Sequence, residues 1–544
     1  MNKGKNGSAP EMVEWVLNGQ RVTSPAGTII LEAARAHGQT VPHFCYHPGL
    51  SIAGNCRICL VETNRSPKPV ISCSERIAPD LEVQTHSEMA VEAREGVMEF
   101  QLINHPLDCP VCDKAGECVL QDYSYDHGPD RSRFVENKTI RHTKDLGPTI
   151  KIWGNRCIVC TRCVRFCDEI SGTSELCVVA RGDRSIVDVF PGIPIDNPLA
   201  GNVVDICPVG ALISNDFLYE ARVWYLKRTE SVCAACARGC NIHVEHLEGV
   251  VKRLMPRENL QVNEWWMCDH GRYDYRYGAD DARVLQSRDK SGTPVADPAR
   301  VLAGLLEEAR SRKQAIAFLI DPFLTCEEMH LVKSLAEGCT EAHIGGWMPA
   351  HGQEERFPGG FVISAEKAPN RVGAQAIFGK EVFSADAESL RKALSTGEIP
   401  LAVVFAGFPH ADPPSEWSAP LNSAQQRAVF NLFEGPWSDG ADLVIPSATP
   451  FEKEGTYANE DGILQRVRSK DLPGHGIRTE LQLLQDVQIR IGERNRMISS
   501  TGIFRELAQG AEAFHGLTHQ SIPAQGALLH GFTRVPVAST GGSQ

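Results

Sequence analysis

Short apolar runs alternate with polar turns at the start of the chain, and their spacing predicts small strands and helices there. Residues 13–22 predict two strands around Asn18-Gly19, a dipeptide typical of hairpin turns. A helix is predicted over 28–36, where apolar residues recur at helical spacing, and a strand over 59–62. The beginning of the chain therefore predicts a small sheet with one helix packed on it.

Residues 86–104 predict a longer helix, which leads the chain into a loop rich in cysteine. The face that we expect it to bury consists of Met89, Val91, Val97, Met98 and Leu102.

The pattern changes after about residue 283, where apolar runs alternate with amphipathic stretches. Strands are predicted at 315–320, 401–405 and 442–445, and helices through 329–335 and over 480–491. Short buried strands separated by helices are typical of a parallel sheet with helices on its faces. The second half therefore predicts an α/β domain.

Composition sets outer limits on the class of protein. The 544 residues suffice for three or more domains, and 42% hydrophobic and 23% charged residues are ordinary for a globular protein. A formal charge of −13 argues against nucleic-acid binding, which favours a basic face. No apolar run reaches the roughly eighteen residues of a membrane span, and residues 1–10 lack the apolar centre of a signal peptide. We expect a cytosolic chain that meets a membrane only through partners.

Cysteine usage points to metal. Seventeen of the nineteen cysteines precede residue 270, and fifteen of those fall into four sets, one of which also contains a histidine. Clustered cysteines in a long intracellular chain favour metal sites over disulfides. We expect Cys326 and Cys339, the two cysteines of the second half, to be structural.

The first set joins a single cysteine, a close pair and a distant fourth cysteine, as plant-type [2Fe–2S] loops do, with a longer first gap. Gly54 and Asn55 precede the pair and suit a loop whose backbone N–H groups turn toward sulfur. A four-cysteine zinc site is the alternative, and the presence of three further sets favours the cluster. The predicted [2Fe–2S] ligands are Cys45, Cys56, Cys59 and Cys73.

The second set combines one histidine with three cysteines in a compact stretch rich in Pro and Gly. Zinc is again the alternative, but the spacing fits a [4Fe–4S] cluster with one imidazole ligand. Because a neutral imidazole replaces an anionic thiolate, the reduction potential of such a cluster should be raised, as it is in Rieske centres. The predicted ligands are His105, Cys109, Cys112 and Cys118.

The third set has two candidates for its fourth ligand. Cys167 follows at the spacing of bacterial ferredoxins but precedes Asp168, whereas Cys207 precedes Pro208, as the closing cysteine of such runs does. A second cluster would need more cysteines than these two and Cys177 provide. We therefore predict one [4Fe–4S] cluster, with Cys167 left as a free buried thiol. The predicted ligands are Cys157, Cys160, Cys163 and Cys207.

The fourth set has three cysteines close together and one far along the chain, again with zinc as the alternative. Four thiolate sites in one chain have little purpose in structural zinc binding, whereas an electron relay uses several centres. The predicted [4Fe–4S] ligands are Cys233, Cys236, Cys240 and Cys268.

Four motifs in this order resemble the 75-kDa iron–sulfur subunit family of NADH–quinone oxidoreductase, respiratory complex I, whose bacterial members are called the G subunit. The resemblance spans residues 13–275 and rests on the stretches 45–73, 105–118, 156–165 and 201–212. It implies an iron–sulfur electron-transfer subunit of a proton-pumping NADH:quinone oxidoreductase. It also implies that the fourth set, which only some bacterial members have, holds a side cluster.

The resemblance implies partners and location as well. Electrons would arrive from a flavin- and NADH-binding subunit and leave toward downstream [4Fe–4S] subunits and the quinone-reducing arm. No Gly-x-Gly-x-x-Gly turn stands out as a nucleotide site, so the substrate would bind on a partner and no catalytic residue is expected here. The complex would hold the chain peripherally on the cytoplasmic side of the bacterial inner membrane.

Residues 283–519 resemble the molybdopterin oxidoreductase fold, on the stretches 441–466 and 367–373. A catalytic member of that family needs several hundred more residues and a Cys, selenocysteine or Ser ligand for Mo or W. Cys326 and Cys339 are poorly placed for this role. The resemblance therefore implies a truncated domain without Mo or W pterin, which supplies core and partner surface.

The predicted fold class is a multidomain α/β protein with an N-terminal ferredoxin-like β-grasp, [4Fe–4S] ferredoxin-like segments and a C-terminal α/β molybdopterin-oxidoreductase-like domain. The predicted divisions are a [2Fe–2S] domain at 11–90, a [4Fe–4S] domain with one histidine and three cysteines at 91–130, a [4Fe–4S] ferredoxin-like domain at 131–225, a [4Fe–4S] domain of molybdopterin-oxidoreductase type at 226–282, the truncated domain at 283–519 and a flexible tail at 520–544.

Two other functions share the cysteine sets. A catalytic formate dehydrogenase would have the same front and an active Mo or W site, but the short second half argues against it. A non-catalytic electron adaptor for a hydrogenase resembles the front half and usually lacks the back domain. Metal content distinguishes the first of these from a complex I subunit.

Overall fold

The chain divides between Tyr225 and Leu226 into two compact units, each described by itself from a computed structural model. The structure describes residues 11–408, 413–469 and 477–533. Within these ranges, no helix has both the length and the apolar character that a bilayer crossing demands.

The first unit consists of short elements joined by long cysteine-bearing loops. Its strands are β1 (Met12–Leu17), β2 (Gln20–Pro25), β3 (Leu60–Thr63), β4 (Ser66–Ile71), β5 (Glu82–Gln84), β6 (Thr143–Asp145), β7 (Ile150–Trp153), β8 (Leu176–Val179), β9 (Ile186–Val189) and β10 (Leu212–Ser214). Its α-helices are α1 (Ile30–Ala36), α2 (Glu88–Leu102), α3 (Val119–His127), α4 (Arg162–Phe166) and α5 (Asn202–Ile206).

The predicted N-terminal hairpin and helix are confirmed. β1 and β2 pair antiparallel around Asn18 and Gly19, whose φ angles of 49° and 80° are those of a type I′ turn. The sheet order is β2-β1-β5-β3-β4, and α1 packs on it through Ile30, Leu31, Ala33 and Ala34. This arrangement holds the loop between α1 and β3 and the turn after β4, which carry the first cysteine set.

The predicted face of the longer helix was partly right, since Met98 is buried and Val97 and Leu102 are half-buried. α2 buries Ala90, Arg94 and Met98, while Met89 and Val91 are exposed. Arg94 is turned inward because its guanidinium donates a hydrogen bond to the carbonyl of Leu60, 3.2 Å away. An arginine on the buried face cannot be anticipated from apolar periodicity alone.

The second unit carries the fourth cysteine set and a larger α/β core. Its strands are β11 (Lys227–Val232), β12 (Asn241–Leu247), β13 (Val250–Pro256), β14 (Arg288–Asp289), β15 (Ile316–Ile320), β16 (Ala342–Gly346), β17 (Glu355–Arg356), β18 (Val362–Ile363), β19 (Leu401–Ala406), β20 (Gln426–Asn431), β21 (Leu443–Pro446), β22 (Gly455–Ala458), β23 (Ile463–Val467) and β24 (Ala527–Leu528). Its α-helices are α6 (Asp269–Tyr273), α7 (Pro298–Ser311), α8 (Cys326–Glu337), α9 (Arg371–Phe378), α10 (Ala385–Ser395), α11 (Ser415–Ser423), α12 (Glu480–Arg490) and α13 (Ser500–Gly510).

The predicted parallel sheet is confirmed. Its order is β14-β21-β20-β19-β15-β16, and all neighbours pair in parallel except the short β14 at one edge. Alternate residues such as Phe318 and Leu319 belong to different hydrophobic clusters, one for each face of the sheet. Burial on both faces explains why these strands read as unbroken apolar runs.

The predicted flexible tail at 520–544 needs correction for the part that the structure describes. Ile522 and Leu529 are buried, and β24 pairs antiparallel with β23. The small and polar residues around them hid this apolar pair from composition-based analysis. The remainder of the predicted tail, from residue 534 onward, lies outside the described residues.

A fully buried ion cluster lies against the parallel sheet of the second unit. Lys453 Nζ is 3.2 Å from Glu328 Oε2 and 3.1 Å from Glu480 Oε1, and the three side chains are at most 2% exposed. Burial raises the pKa of Glu328 to about 7; the charge of Lys453 opposes this rise and that of Glu480 adds to it. The cluster therefore binds a proton near neutrality that an exposed glutamate would have released.

This proton predicts a pH-dependent stability of the second unit. The folded pKa of Glu328 lies above its usual value of 4.5, so the folded state holds more protons than the unfolded state between about pH 4.5 and 7. The free energy of unfolding should fall as pH rises through this window, by on the order of 2–4 kcal/mol. Alkylation of the buried Cys326 along a denaturant series, repeated from pH 5.5 to 7.5, measures this trend.

Glu328→Gln should flatten that trend because it removes the titrating group. Glu308→Gln, at a side chain that is 43% exposed, should leave it unchanged. A parent protein whose unfolding midpoint is constant over the same range would contradict the prediction.

Candidate metal centres

The first cysteine set converges inside the β-grasp sheet region of the first unit. Cys45, Cys56, Cys59 and Cys73 are each at most 7% exposed. The Cys45 amide donates to Cys56 Sγ at 3.4 Å, and a hydrogen bond with Cys73 lowers the pKa of Cys59 to about 7. The structure thus brings all four predicted ligands together, with thiol groups close enough to form hydrogen bonds with one another.

The second set follows the end of α2. The charge of Cys109 acts on Cys112, and that of Cys112 acts on Cys118, so the three thiols are neighbours, and Cys109 is the exposed one. His105 Nδ1 is buried and has no hydrogen-bond partner among the described residues. Burial lowers the pKa of His105 to about 4, which leaves the imidazole neutral, as a metal ligand must be.

A close approach of backbone shapes this second site. A Cβ added at Gly210, just after the last cysteine of the third set, would overlap Cys112 Sγ and stand 3.2 Å from Lys114 Cβ. Arg156 lies alongside, with its Nε donating to Asp108 Oδ2 at 3.0 Å and its guanidinium 4.2 Å from the centre of the Trp153 ring. The positive charge of Arg156 acts on both His105 and Cys112.

The third set surrounds the start of α4. Cys207 is among the charges that raise the pKa values of Cys157, Cys160 and Cys163, after burial, which is the larger cause in each case. The Val159 amide donates to Cys157 Sγ at 3.4 Å, in a turn where Val159 has a φ of 49°. The structure therefore places Cys207 with the three clustered cysteines.

Cys167 occupies a different environment from these four thiols. It begins a π-helical turn, Cys167–Ser171, and is fully buried. Burial raises its pKa to about 12, and among the charges acting on it Glu175 comes first. Of the two candidates, Cys207 is the one whose charge acts on all three clustered cysteines.

The fourth set lies beside β11–β13 in the second unit, and its cysteines are all buried. The Gly271 amide donates to Cys268 Sγ at 3.4 Å, and a Cβ at Gly271 would stand 2.8 Å from Cys233 Sγ. The backbone of Ala237 is hydrogen-bonded to Glu366, which precedes a lysine, Lys367, whose charge acts on Cys236 and Cys268. Glycine at position 271 leaves the sulfurs room that a side chain would fill.

The remaining cysteines have neighbours that account for them. Cys326 is buried at the first turn of α8, 3.5 Å from Asn370, and Cys339 donates to the carbonyl of Leu335. Cys177 is a half-buried thiol that donates to the carbonyl of Asp188 at 3.6 Å.

Three contributors to these sites escaped the sequence analysis: Arg156, Gly210, and Arg162, which donates to the carbonyls of Ile206 and Tyr46 beside Cys207 and Cys45. Both arginines stand inside the third cysteine motif, and Gly210 follows Cys207-Pro-Val. Their position in the motif was the available signal, but their side-chain direction was not predictable from it.

Over the described ranges, no three side chains of His, Cys, Asp or Glu gather as tightly as one metal ion requires. A cluster makes a different demand, because several iron atoms share its four protein ligands. The donor sets fit such clusters in three respects: soft thiolates, buried sulfur, and backbone N–H groups aimed at sulfur.

Four protein-family models match consecutive parts of the chain. They are described as a 2Fe-2S iron-sulfur cluster binding domain (residues 10–88), the NADH-ubiquinone oxidoreductase-G iron-sulfur binding region (94–133), the ferredoxin-like domain of NADH-quinone oxidoreductase subunit 3 (147–213) and the NADH-ubiquinone oxidoreductase NDSU1/NuoG-like 4Fe-4S domain (226–276). Each matched range contains one of the four cysteine sets.

Curated relatives agree with these matches. The chain is 38% identical over 339 residues to the G subunit of NADH-quinone oxidoreductase from Rickettsia bellii, a match that covers 61% of this chain and 50% of the relative. It is 47% identical over 265 residues to the mitochondrial NADH dehydrogenase [ubiquinone] iron-sulfur protein 1 of Solanum tuberosum, covering 49% of this chain and 36% of the relative. The matched part thus spans half or less of these relatives' length.

A solved structure of an NAD+-reducing [NiFe]-hydrogenase in the H2-reduced state is 31% identical, with a TM-score of 0.36, and covers 39% of this chain and 91% of that one. The domains and the buried donor sets define the class as iron–sulfur proteins of mixed α/β fold. Over residues 10–276 the chain is similar to the bacterial G subunit and the mitochondrial iron-sulfur protein 1 of NADH-quinone oxidoreductases.

Proposed function

We propose that this chain is the iron–sulfur electron-transfer subunit of a proton-pumping NADH:quinone oxidoreductase. It takes electrons from a flavin- and NADH-binding partner and passes them toward downstream [4Fe–4S] subunits and quinone. The observation that carries the proposal is the series of four buried thiolate-rich sites in the order of the family's domains. A peripheral position on the cytoplasmic side of the membrane follows from the same assignment.

The sixteen predicted ligands would hold one [2Fe–2S] cluster and three [4Fe–4S] clusters, which supply one-electron transfer when bound. The chain itself excludes water from most of the sulfurs, since Cys109 alone among the fifteen ligand cysteines is exposed. Its backbone amides at Cys45, Val159 and Gly271 donate to sulfur and stabilise the thiolate form. No side chain of the proposed sites needs to act as an acid, base or nucleophile.

The second half is proposed to be a truncated molybdopterin-oxidoreductase-like domain that binds no Mo or W pterin. In open α/β sheets, ligands bind where the strand order reverses, here at the carboxyl ends of β15 and β19. The buried carboxylate of Asp321 fills this place and accepts hydrogen bonds from the amides of Phe323, Leu324 and Gly407. The ring centres of Phe408 and Phe323 are 4.5 Å apart beside it, and these side chains at the strand ends support the proposal that no pterin binds there.

Anaerobic elemental analysis of the purified chain, combined with electron paramagnetic resonance of its reduced form, tests this function. We expect about fourteen iron atoms per chain and neither Mo nor W. Stoichiometric Mo or W would favour a catalytic dehydrogenase instead. Zinc in place of iron at any set would remove that set from the electron path.

His105→Cys should lower the reduction potential of the second site. A thiolate adds one negative charge where the neutral imidazole had none, which disfavours a further electron. The measurement is a redox titration of that site's paramagnetic signal in the parent and the variant. His142→Cys, at a histidine outside the four sets, is the matched control. An unchanged potential in His105→Cys would remove this histidine from the ligands.

A further inference from the structure

Arg162 connects the first and third cysteine sets. It is the first residue of α4, within the third motif. Its NH1 donates to the carbonyl of Ile206, 3.2 Å away, and its NH2 donates to the carbonyl of Tyr46. Ile206 directly precedes Cys207, and Tyr46 directly follows Cys45. One guanidinium therefore ties together the backbone beside a ligand of each site.

The same guanidinium has hydrogen-bonding capacity left over. Its Nε is buried and has no hydrogen-bond partner among the described residues. Its charge acts on thiols of both sets, namely Cys160, Cys207, Cys45 and Cys56. Arg162 is half-buried, and a positive charge that is partly shielded from water acts on its neighbours more strongly than an exposed one.

The two buried arginines of the first unit, Arg94 and Arg156, act more locally. Arg94 donates to the carbonyl of Leu60, and Cys59 of the first set is the thiolate whose charge acts on it. Arg156 acts on His105 and Cys112 of the second set. Arg165, one turn after Arg162, donates to the carbonyls of Cys45, Ser51 and Cys160 and so supports the same junction from its other side.

We propose that Arg162 is a shared positioning residue, which fixes the first and third sites against each other and raises the reduction potentials of both with one positive charge. The inference rests on the proposed function, since it requires clusters at these two sites. Electrons passing from one site to the other would stay under the influence of the same charge. Because Arg162 donates to carbonyl oxygens and is not itself a ligand, its effect is on the energy of the sites and not on their composition.

The test is a redox titration of the paramagnetic signals in the assembled complex carrying Arg162→Gln. We expect both the [2Fe–2S] site of the first set and the [4Fe–4S] site of the third set to be harder to reduce by about tenfold, or about 59 mV for one electron. The potential of the histidine-containing second site should change less. Arg94→Gln is the matched control and should move the potential of the first site alone.

The outcomes separate the possible failures. Both potentials unchanged in a fully iron-loaded Arg162→Gln variant, or only one of them lowered, would overturn the shared role. If that variant loses iron, Arg162→Lys is measured in its place. Lysine keeps the positive charge but lacks the planar guanidinium group. If the equilibrium constant for reduction at both sites of the lysine variant stays within about twofold of the parent value, the proposal is supported. A tenfold smaller constant at either site overturns it. A parent complex without clusters at these sites would instead overturn the proposed function.

Discussion

Gly210→Ala should abolish the second metal site while leaving the third in place. The added Cβ would overlap Cys112 Sγ and approach Lys114 Cβ to 3.2 Å, and both neighbours are buried. Cys112 cannot withdraw easily, because it directly follows a short 3₁₀ turn and its carbonyl accepts a hydrogen bond from Arg222 at 2.9 Å. We expect the loss of about four iron atoms per chain and of the signal of that site.

Gly96→Ala is the matched control in the same unit. Gly96 lies inside α2, and an added Cβ there meets nothing within 4 Å. Alanine is the better helix former by about 1 kcal/mol, so this variant should keep its full iron content and gain slightly in stability. Retention of the second-site signal in Gly210→Ala would show that the backbone can move away. Loss of the third-site signal together with it would point to a general folding defect.

Lys453→Met should destabilise the second unit by about 3–5 kcal/mol. The methionine fills most of the volume but leaves the carboxylates of Glu328 and Glu480 buried without their cation. Asp321, also buried, feels the same lysine charge and would lose it as well. Cys326 is fully buried in this unit and reacts only when the unit unfolds. The expected result is that its alkylation begins at a much lower denaturant concentration.

Two further variants distinguish charge from packing in this cluster. Lys453→Met combined with Glu328→Gln replaces one of the carboxyl groups left without their cation and should recover part of the lost stability. Arg312→Met breaks an exposed ion pair with Glu308, 62% and 43% exposed, and should cost no more than about 1 kcal/mol. Equal losses in the free energy of unfolding for Lys453→Met and Arg312→Met would show that the buried cluster contributes no more to stability than an exposed ion pair.

Local patterns predicted the framework of both units correctly. The Asn18-Gly19 turn and the apolar run of β19 carry their structural signal within a few residues, so periodicity sufficed. The parallel sheet followed from several such runs separated by helices. The inward turn of Arg94 was missed because its reason is a carbonyl on β3, which is distant in sequence.

The same contrast holds for the sites. Sequence spacing alone grouped the thiols of each set. Cys207 is far from Cys163 in sequence, and the structure places it beside the third set. The identities of the ligands and of the metal remain predictions that iron analysis tests. The arginines and Gly210 act through the direction of a side chain or the approach of two backbones, and a linear pattern contains neither.

The inward-facing arginines of the first unit have a consequence for maturation. Before iron arrives, burial holds most of the thiols of the second and third sets in their neutral form, since it raises the pKa of Cys118 to about 11 and that of Cys160 to about 12. Arg94 and Arg162 then have backbone carbonyls as their hydrogen-bond partners, and Arg156 has the carboxylate of Asp108. Clusters at the proposed sites would convert these thiols to thiolates and supply negative charge beside the arginines, so cofactor insertion and folding would reinforce each other.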